Sequence, residues 1–219
     1  MRTIEVNLYQ FNELNDNAKE AAREWYRRDL EVDYDCVIDD FVTIAEMIGI
    51  NFDYQTVPLM GGGTRRKPKI WFSGFGSQGD GACFEGTYSY KPDASEKVRE
   101  YAPQDETLHQ ITDKLTALQR EYNGKLTVGI THRRGQYSHE HSVDLDVSVD
   151  DLDIDEEGNE VQIEVTSDDE EKVGDLLRDL MRWLYRRLEK EYEYRHSDEA
   201  VDEAINANGY EWTEDGKRA

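Results

Sequence analysis

The sequence predicts an α+β fold: a largely antiparallel sheet with helices packed on one face, and a long C-terminal helix. Three observations lead there. Strand and helix patterns are neither grouped at one end nor strictly alternating. The strand-like runs are short and separated by glycine-rich or acidic turns. Apolar residues at three-and-four spacing run without a break from Val173 to Tyr192. The chain has 219 residues, enough for a sizeable core, and its 4 Trp, 13 Tyr and 6 Phe argue against disorder. We read residues 1–219 as one acidic domain.

The elements follow in order. Thr3, Glu5, Asn7 and Tyr9 alternate with Ile4, Val6, Leu8 and Gln10, which is strand patterning. Asn15 or Asp16 then caps a helix through Leu30, with Ala18, Ala22, Trp25 and Tyr26 on one face. A second helix spans Asp35 to Ile48, turns Val37, Ile38, Phe41, Ile44, Ala45 and Ile48 inward, and stops at Gly49. Strands are expected at 52–57, 69–75 and 84–90, with Gly61-Gly62-Gly63 as a loop between the first two. Helical spacing returns at 104–122 through Leu108, Ile111, Leu115 and Leu118. Strands follow at 126–130, 142–149 and 160–165, the last two expected to pair across the acidic turn 150–159. Ser167 and Glu170 form a capping box for the long helix, which runs to about Arg195. Ser197 caps a short helix from Asp198 to Asn206, Gly209 ends it, and residues 209–213 read as a last extended piece.

Charge excludes several classes. Lys and Arg number 26 against 49 Asp and Glu, a net charge of −23. That opposes direct nucleic-acid binding, which needs a basic footprint, and docking on anionic membranes. No apolar run is long enough for a transmembrane helix, and the opening lacks a signal peptide's apolar block. Cys36 and Cys83 are too few for a disulfide framework and read as free thiols of a reducing cytoplasm.

The leading candidate site is an acidic belt. Between residues 144 and 175 fifteen acids face one base, Lys172. The proposed contacts are Asp144, Asp146, Asp150, Asp151, Asp153, Asp155, Glu156, Glu157, Glu160, Glu164, Asp168, Asp169, Glu170 and Glu171. Asp144, Asp146 and Asp150 share one face of a strand, where side chains repeat about every 6.6 Å. Such a row imitates a phosphate backbone and fits the basic groove of a nucleic-acid-binding protein. The plainer reading is a solvated acidic surface that keeps the protein soluble. Val143, Leu145, Val147 and Val149 are expected to pack inward with Val161, Ile163 and Val165 against Leu176, Leu180, Trp183 and Leu184.

Other motifs are weaker. Asp153 to Glu164 approaches an EF-hand loop, but Glu160 takes an apolar position and the flanks read as strands, so a hairpin turn fits better. Asp80-Gly81-Ala82-Cys83 looks like the nucleophile segment of ovarian-tumour-type cysteine proteases. A nucleophilic cysteine there needs a helix behind it, whereas strand chemistry follows. The glycines from 74 to 86 read as a strand connection and not as a phosphate loop, because no Lys and no helix follow them. His132, His139 and His141 are candidate metal ligands, with surface histidines of a turn as the alternative. The basic runs Arg65-Arg66-Lys67 and Arg178, Arg182, Arg186 and Arg187 are expected to pair with local acids or to line the solvent face of the long helix. No cofactor, metal or catalytic residue is therefore assigned.

The blocks FSGFGSQGDGACFEG, SDEAVDEAINANGYEWTEDGK and FNELNDNAKEAAREWY resemble a family found in bacteriophages and mobile elements. Its members are generally uncharacterised, and some carry the label of antitoxin from a toxin–antitoxin stability system. The resemblance implies an accessory phage protein acting in a bacterial cytoplasm. Together with the belt it suggests a non-enzymatic inhibitor of a host defence complex, of the anti-CRISPR or anti-restriction type, whose partner is a host protein with a basic surface. An antitoxin-like neutraliser and a cysteine-dependent hydrolase built on Cys83 are the alternatives.

Overall fold

The computed structural model describes the backbone at residues 6–149, 152–154, 160–162 and 164–219. The first elements are β1 (Tyr9–Gln10), α1 (Asp16–Arg28), α2 (Asp35–Ile48), β2 (Ile50–Phe52), β3 (Tyr54–Pro58), β4 (Thr64–Pro68), β5 (Ile70–Phe72), β6 (Ala82–Phe84) and β7 (Gly86–Tyr88). They are followed by α3 (Ala94–Tyr101), α4 (Glu106–Glu121), β8 (Leu126–His132), β9 (Val143–Val149), β10 (Leu152–Ile154), β11 (Glu160–Gln162), α5 (Ser167–His196), α6 (Asp198–Asn208) and β12 (Glu211–Trp212). Among the described residues every strand pair is antiparallel, so the α+β class holds. The sequence reading treats the chain as one domain; the backbone groups into two compact units, residues 1–35 with 188–219, and residues 36–187. Among the described residues no helix is long and apolar enough to cross a membrane.

The first unit joins the two ends of the sequence. Asn15 accepts the Ala18 N–H at 3.0 Å and starts α1. The Ser197 hydroxyl accepts the Ala200 N–H at 3.3 Å and starts α6. Phe11, Leu14, Ala18, Ala22, Val201, Ile205 and Trp212 form its core. Arg23 clamps Asp202 with two bonds of 2.7 Å, a bidentate geometry that fixes α1 against α6. Tyr9 pairs with Trp212 and Gln10 with Glu211, so the expected opening strand is two residues long here. Residues 1–5 of that expectation lie outside the described residues.

The second unit holds a four-stranded sheet in the order β2-β7-β8-β9. Its burial alternates with period two. Ile50, Phe52, Tyr88, Leu126, Val128, Ile130, Val143 and Val149 are buried, while Asn51, Thr87, Thr131, Asp144, Asp146 and Ser148 are exposed. Helices close the buried face. The ring of Phe41 in α2 lies 5.7 Å from those of Phe52 and Phe84 and 6.2 Å from that of Trp183 in α5. Leu176, Leu180, Trp183 and Leu184 are buried as the spacing of the long helix predicts. A Cβ added at Gly174 would lie 3.3 Å from Leu145, which places α5 against the inner side of β9. Val143 and Val149 are buried and Leu145, Val147 and Val165 half-buried; Val161 and Ile163 lie outside the described side chains.

Two expectations are corrected. The strand at 160–162 does not pair with 143–149. It pairs with β10, Leu152 opposite Gln162 and Ile154 opposite Glu160, while β9 pairs along its length with β8. In the observed ladder β8 sets Thr131 opposite Asp144 and Gly129 opposite Asp146, so no acid faces an acid across it. The cap of α5 lies one residue before the expected Ser167. Thr166 accepts the Asp169 N–H with its hydroxyl at 3.2 Å, and Asp169 is anchored by Tyr122 from outside the helix. The short helix α3 has no counterpart in the sequence reading, because only Ala94 and Val98 give it a buried face.

Phe41 is fully buried against three aromatic rings. Phe41→Ala therefore lowers the stability of this unit by about 3–5 kcal/mol, read as a shifted urea midpoint with an unchanged slope.

Candidate functional site

The sheet positions its outward side chains by leaving one face uncovered. On β9 the side chains of Asp144 and Asp146 point away from α5, two residues apart on an exposed strand. Their neighbours on that face are neutral: Asn51, Thr87, Thr127, Thr131 and Ser148. The Thr127 and Ser148 hydroxyls bond across the ladder at 3.0 Å. Arg133 reaches Asp144 at 2.7 Å, an exposed ion pair that offsets one of the two carboxylate charges and adds little stability.

The acids at the start of α5 belong to a different surface. Asp168, Glu170 and Glu171 are exposed, and those in the first turn complement the helix dipole. Asp169 is not a free contact: it is buried and accepts from Lys172 Nζ at 2.6 Å, Tyr122 Oη at 2.8 Å and Thr166 Oγ1 at 2.9 Å. Lys172 first, then Tyr122 and Thr166, hold its carboxyl down to about 2. Glu164 is exposed. Asp150, Asp151, Asp155, Glu156 and Glu157 lie outside the described residues, as do the side chains of Asp153 and Glu160. The belt is thus divided between the open sheet face and the helix start. The calcium-loop candidate falls mostly outside the described residues, and its flanks, β10 and β11, are strands.

The glycine-rich segment does cradle an anion, but its own. Asp80 accepts the N–H groups of Gly76 at 3.0 Å and Ser77 at 2.6 Å, and these bonds hold its carboxyl below the usual range. Gly81 packs under the histidine loop, where a Cβ would meet that of His139 at 2.4 Å. Cys83 sits in β6, fully buried. Burial, then Glu85 and Glu140, push its thiol up to about 12. That is the opposite of what a nucleophile needs, and Cys83 sits within a strand and not at a helix start. The hydrolase reading of Cys83 is therefore set aside. The histidines are engaged as well. His132 stacks on Trp71 at 4.8 Å and donates to the Tyr137 carbonyl at 3.0 Å, and His139 Nδ1 accepts the His141 N–H at 3.0 Å. Among the described residues no group of three or more His, Cys, Asp or Glu is placed to hold a metal.

One polar cluster escaped the sequence reading. Buried Glu85 accepts from Lys69 Nζ at 2.6 Å and from the His132 N–H at 3.3 Å, and Lys69 reaches Asp53 at 3.3 Å. The only signal was a lone Lys and a lone Glu, each beside an apolar strand. Of the helix arginines, Arg178 pairs with Asp175, and Arg182 with Asp179 and Glu140, as expected. Arg66 instead lies over the ring of Tyr54 at 4.6 Å.

Two measurements follow. In the native protein a thiol reagent modifies exposed Cys36 and leaves buried Cys83 untouched until unfolding, a single adduct by mass spectrometry. Asp169 titrates lower in the folded chain than in the unfolded one, so its stabilisation is complete above about pH 4 and fades as pH falls toward 2. The stability gap between the native chain and Asp169→Asn closes over that window in urea melts.

No curated protein and no solved structure matches the chain. Residues 34–198, most of the chain, match the family model described as a domain of unknown function, DUF8835. The chain belongs to that family.

Proposed function

We propose that this protein is a non-enzymatic, phage-encoded inhibitor. It docks acidic side chains on the basic, nucleic-acid-binding surface of a host defence complex in the bacterial cytoplasm. The observation that carries this reading is the exposed pair Asp144 and Asp146 on the outward face of the sheet, in a chain of net charge −23. A preorganised row of carboxylates binds without the cost of ordering a flexible acidic tail. Asp168, Glu170 and Glu171 supply a second acidic surface at the start of α5. Asp169 is withdrawn from the contact set because its carboxylate is spent on the helix start. Long-range attraction of this kind raises association rates and is screened by salt.

The test is a pull-down from bacterial lysate at low and at high salt, with partners identified by mass spectrometry. The reading expects a nucleic-acid-binding protein that salt releases, and about tenfold weaker capture by Asp144→Lys/Asp146→Lys. Capture unaffected by that reversal, or recovery of no nucleic-acid-binding protein, overturns it. Recovery of one small toxin would put an antitoxin-like role in its place.

A further inference from the structure

The unit of residues 1–35 with 188–219 gathers aromatic side chains at one place. Trp25 and Tyr26 lie near the end of α1, Tyr210 follows α6, and all three are half-buried. The rings of Trp25 and Tyr210 meet edge to face, 5.5 Å apart at 82°. With Tyr26 and Leu30 they wall a cleft of about 290 Å³, and Asp29 and Glu31 complete its lining. Both carboxylates are exposed, and among the described residues neither forms an ion pair. Neighbouring Arg27 is engaged by Asp198 and the His196 carbonyl. Asp29 is also the C-cap of α1, where the carbonyl end of the helix adds partial negative charge.

The protein itself shows which group these rings accept. The Arg218 guanidinium lies 5.0 Å from the ring centroid of Trp25 and 4.5 Å from that of Tyr210, within the range of cation–π attraction. Arg218 does not line the cleft. Its place beside β12 is fixed by backbone, the Ala219 N–H donating to the Glu211 carbonyl at 3.0 Å. The cleft therefore stays open, and against the one charge of Arg218 stand the two of Asp29 and Glu31.

We propose that this cleft is a docking site for an arginine side chain on the surface of a partner protein. Trp25, Tyr26 and Tyr210 stack on the guanidinium, and Asp29 and Glu31 accept its N–H groups. A guanidinium is planar, weakly hydrated and donates through a fork, whereas an ammonium holds its water more strongly and stacks less well. An adjoining cleft, of about 300 Å³, shares Tyr26 and Leu30 with the first and is lined by Ala200, Ala204 and Ala207. It receives an apolar side chain next to the arginine, which free arginine would lack, so the occupant is a protein segment. The carboxylates oppose nucleic acid and anionic membranes at this place.

The inference uses neither Asp144 nor Asp146 and stands or falls apart from the acidic sheet face. The experiment is a titration of the isotope-labelled full chain with capped Leu-Arg and Arg-Leu dipeptides, followed by NMR of the tryptophan indole N–H signals, with that of Trp25 assigned by Trp25→Phe. At millimolar peptide the Trp25 signal moves and saturates, while those of Trp71 and Trp183 stay fixed. Citrulline in place of arginine, the neutral counterpart, removes the shift. Asp29→Asn/Glu31→Gln weakens binding about fivefold with an unchanged thermal melt, and Asp144→Lys/Asp146→Lys does not weaken it. A static Trp25 signal, an equal shift with citrulline, or equal binding by the Asp29→Asn/Glu31→Gln variant overturns the proposal. So does binding of free arginine as tight as that of the dipeptides, which assigns the cleft to a small molecule.

Discussion

Residues 36–187 depend on one burial: the apolar face of the sheet β2-β7-β8-β9 beneath α2 and α5. Each large side chain moved from water there contributes about 1.5–3 kcal/mol. Phe41, Phe52, Phe84 and Trp183 meet in the same layer. Because strand side chains alternate, covering one face leaves the other to the remaining residues. That second face has no packing to satisfy, so Asp144 and Asp146 sit there at little cost. Their cross-strand neighbours are Thr131 and Gly129, neither of which carries charge.

The strands do not form one continuous sheet, and the point where they change partners is held by polar groups. The Asp53 N–H donates to Glu85, the Lys69 N–H to Asp53 and the Glu85 N–H to Lys69, so three strand junctions share one backbone network. The Lys69–Glu85 ion pair closes over it. Gly86 follows at once, with φ of +156° and no room for a Cβ, which would lie 2.2 Å from the Asn51 carbonyl oxygen. A larger residue there would force β2 and β7 apart. Past the same junction β3 and β4 pair with each other as a two-stranded sheet apart from β2-β7-β8-β9.

The division of charge then has a structural origin. Acids collect where the sheet face is open and where helix dipoles favour them, at the first turn of α5. Bases collect on β4 and along α5, where Arg178 and Arg182 are paired with acids on their own helix. A protein of net −23 thus places acids and bases on separate elements. Electrostatic recognition by such a molecule is set by which element a partner meets, and its net charge governs only long-range steering.

The sequence by itself determined the helices, because their caps and apolar spacing are local. Asn15, Ser197 and the stripe from Val173 to Leu188 are legible without knowing any neighbour. It also determined the inward set of β9, since period-two alternation is a property of one strand. Strand partners were not legible. β9 pairs with β8 while 160–162 pairs with β10, although equal ten-residue intervals separate β9 from both segments, because pairing is settled by cross-strand contacts. The roles of single acids were hidden for the same reason. Asp169 and Asp168 are alike in sequence, yet the first is buried by Tyr122, 47 residues away, and the second is exposed. Cys83 likewise owes its burial to layers packed around β6, which no local motif records. Burial is a property of the assembled core, so tertiary structure alone decided which charged and reactive groups stay available to a partner.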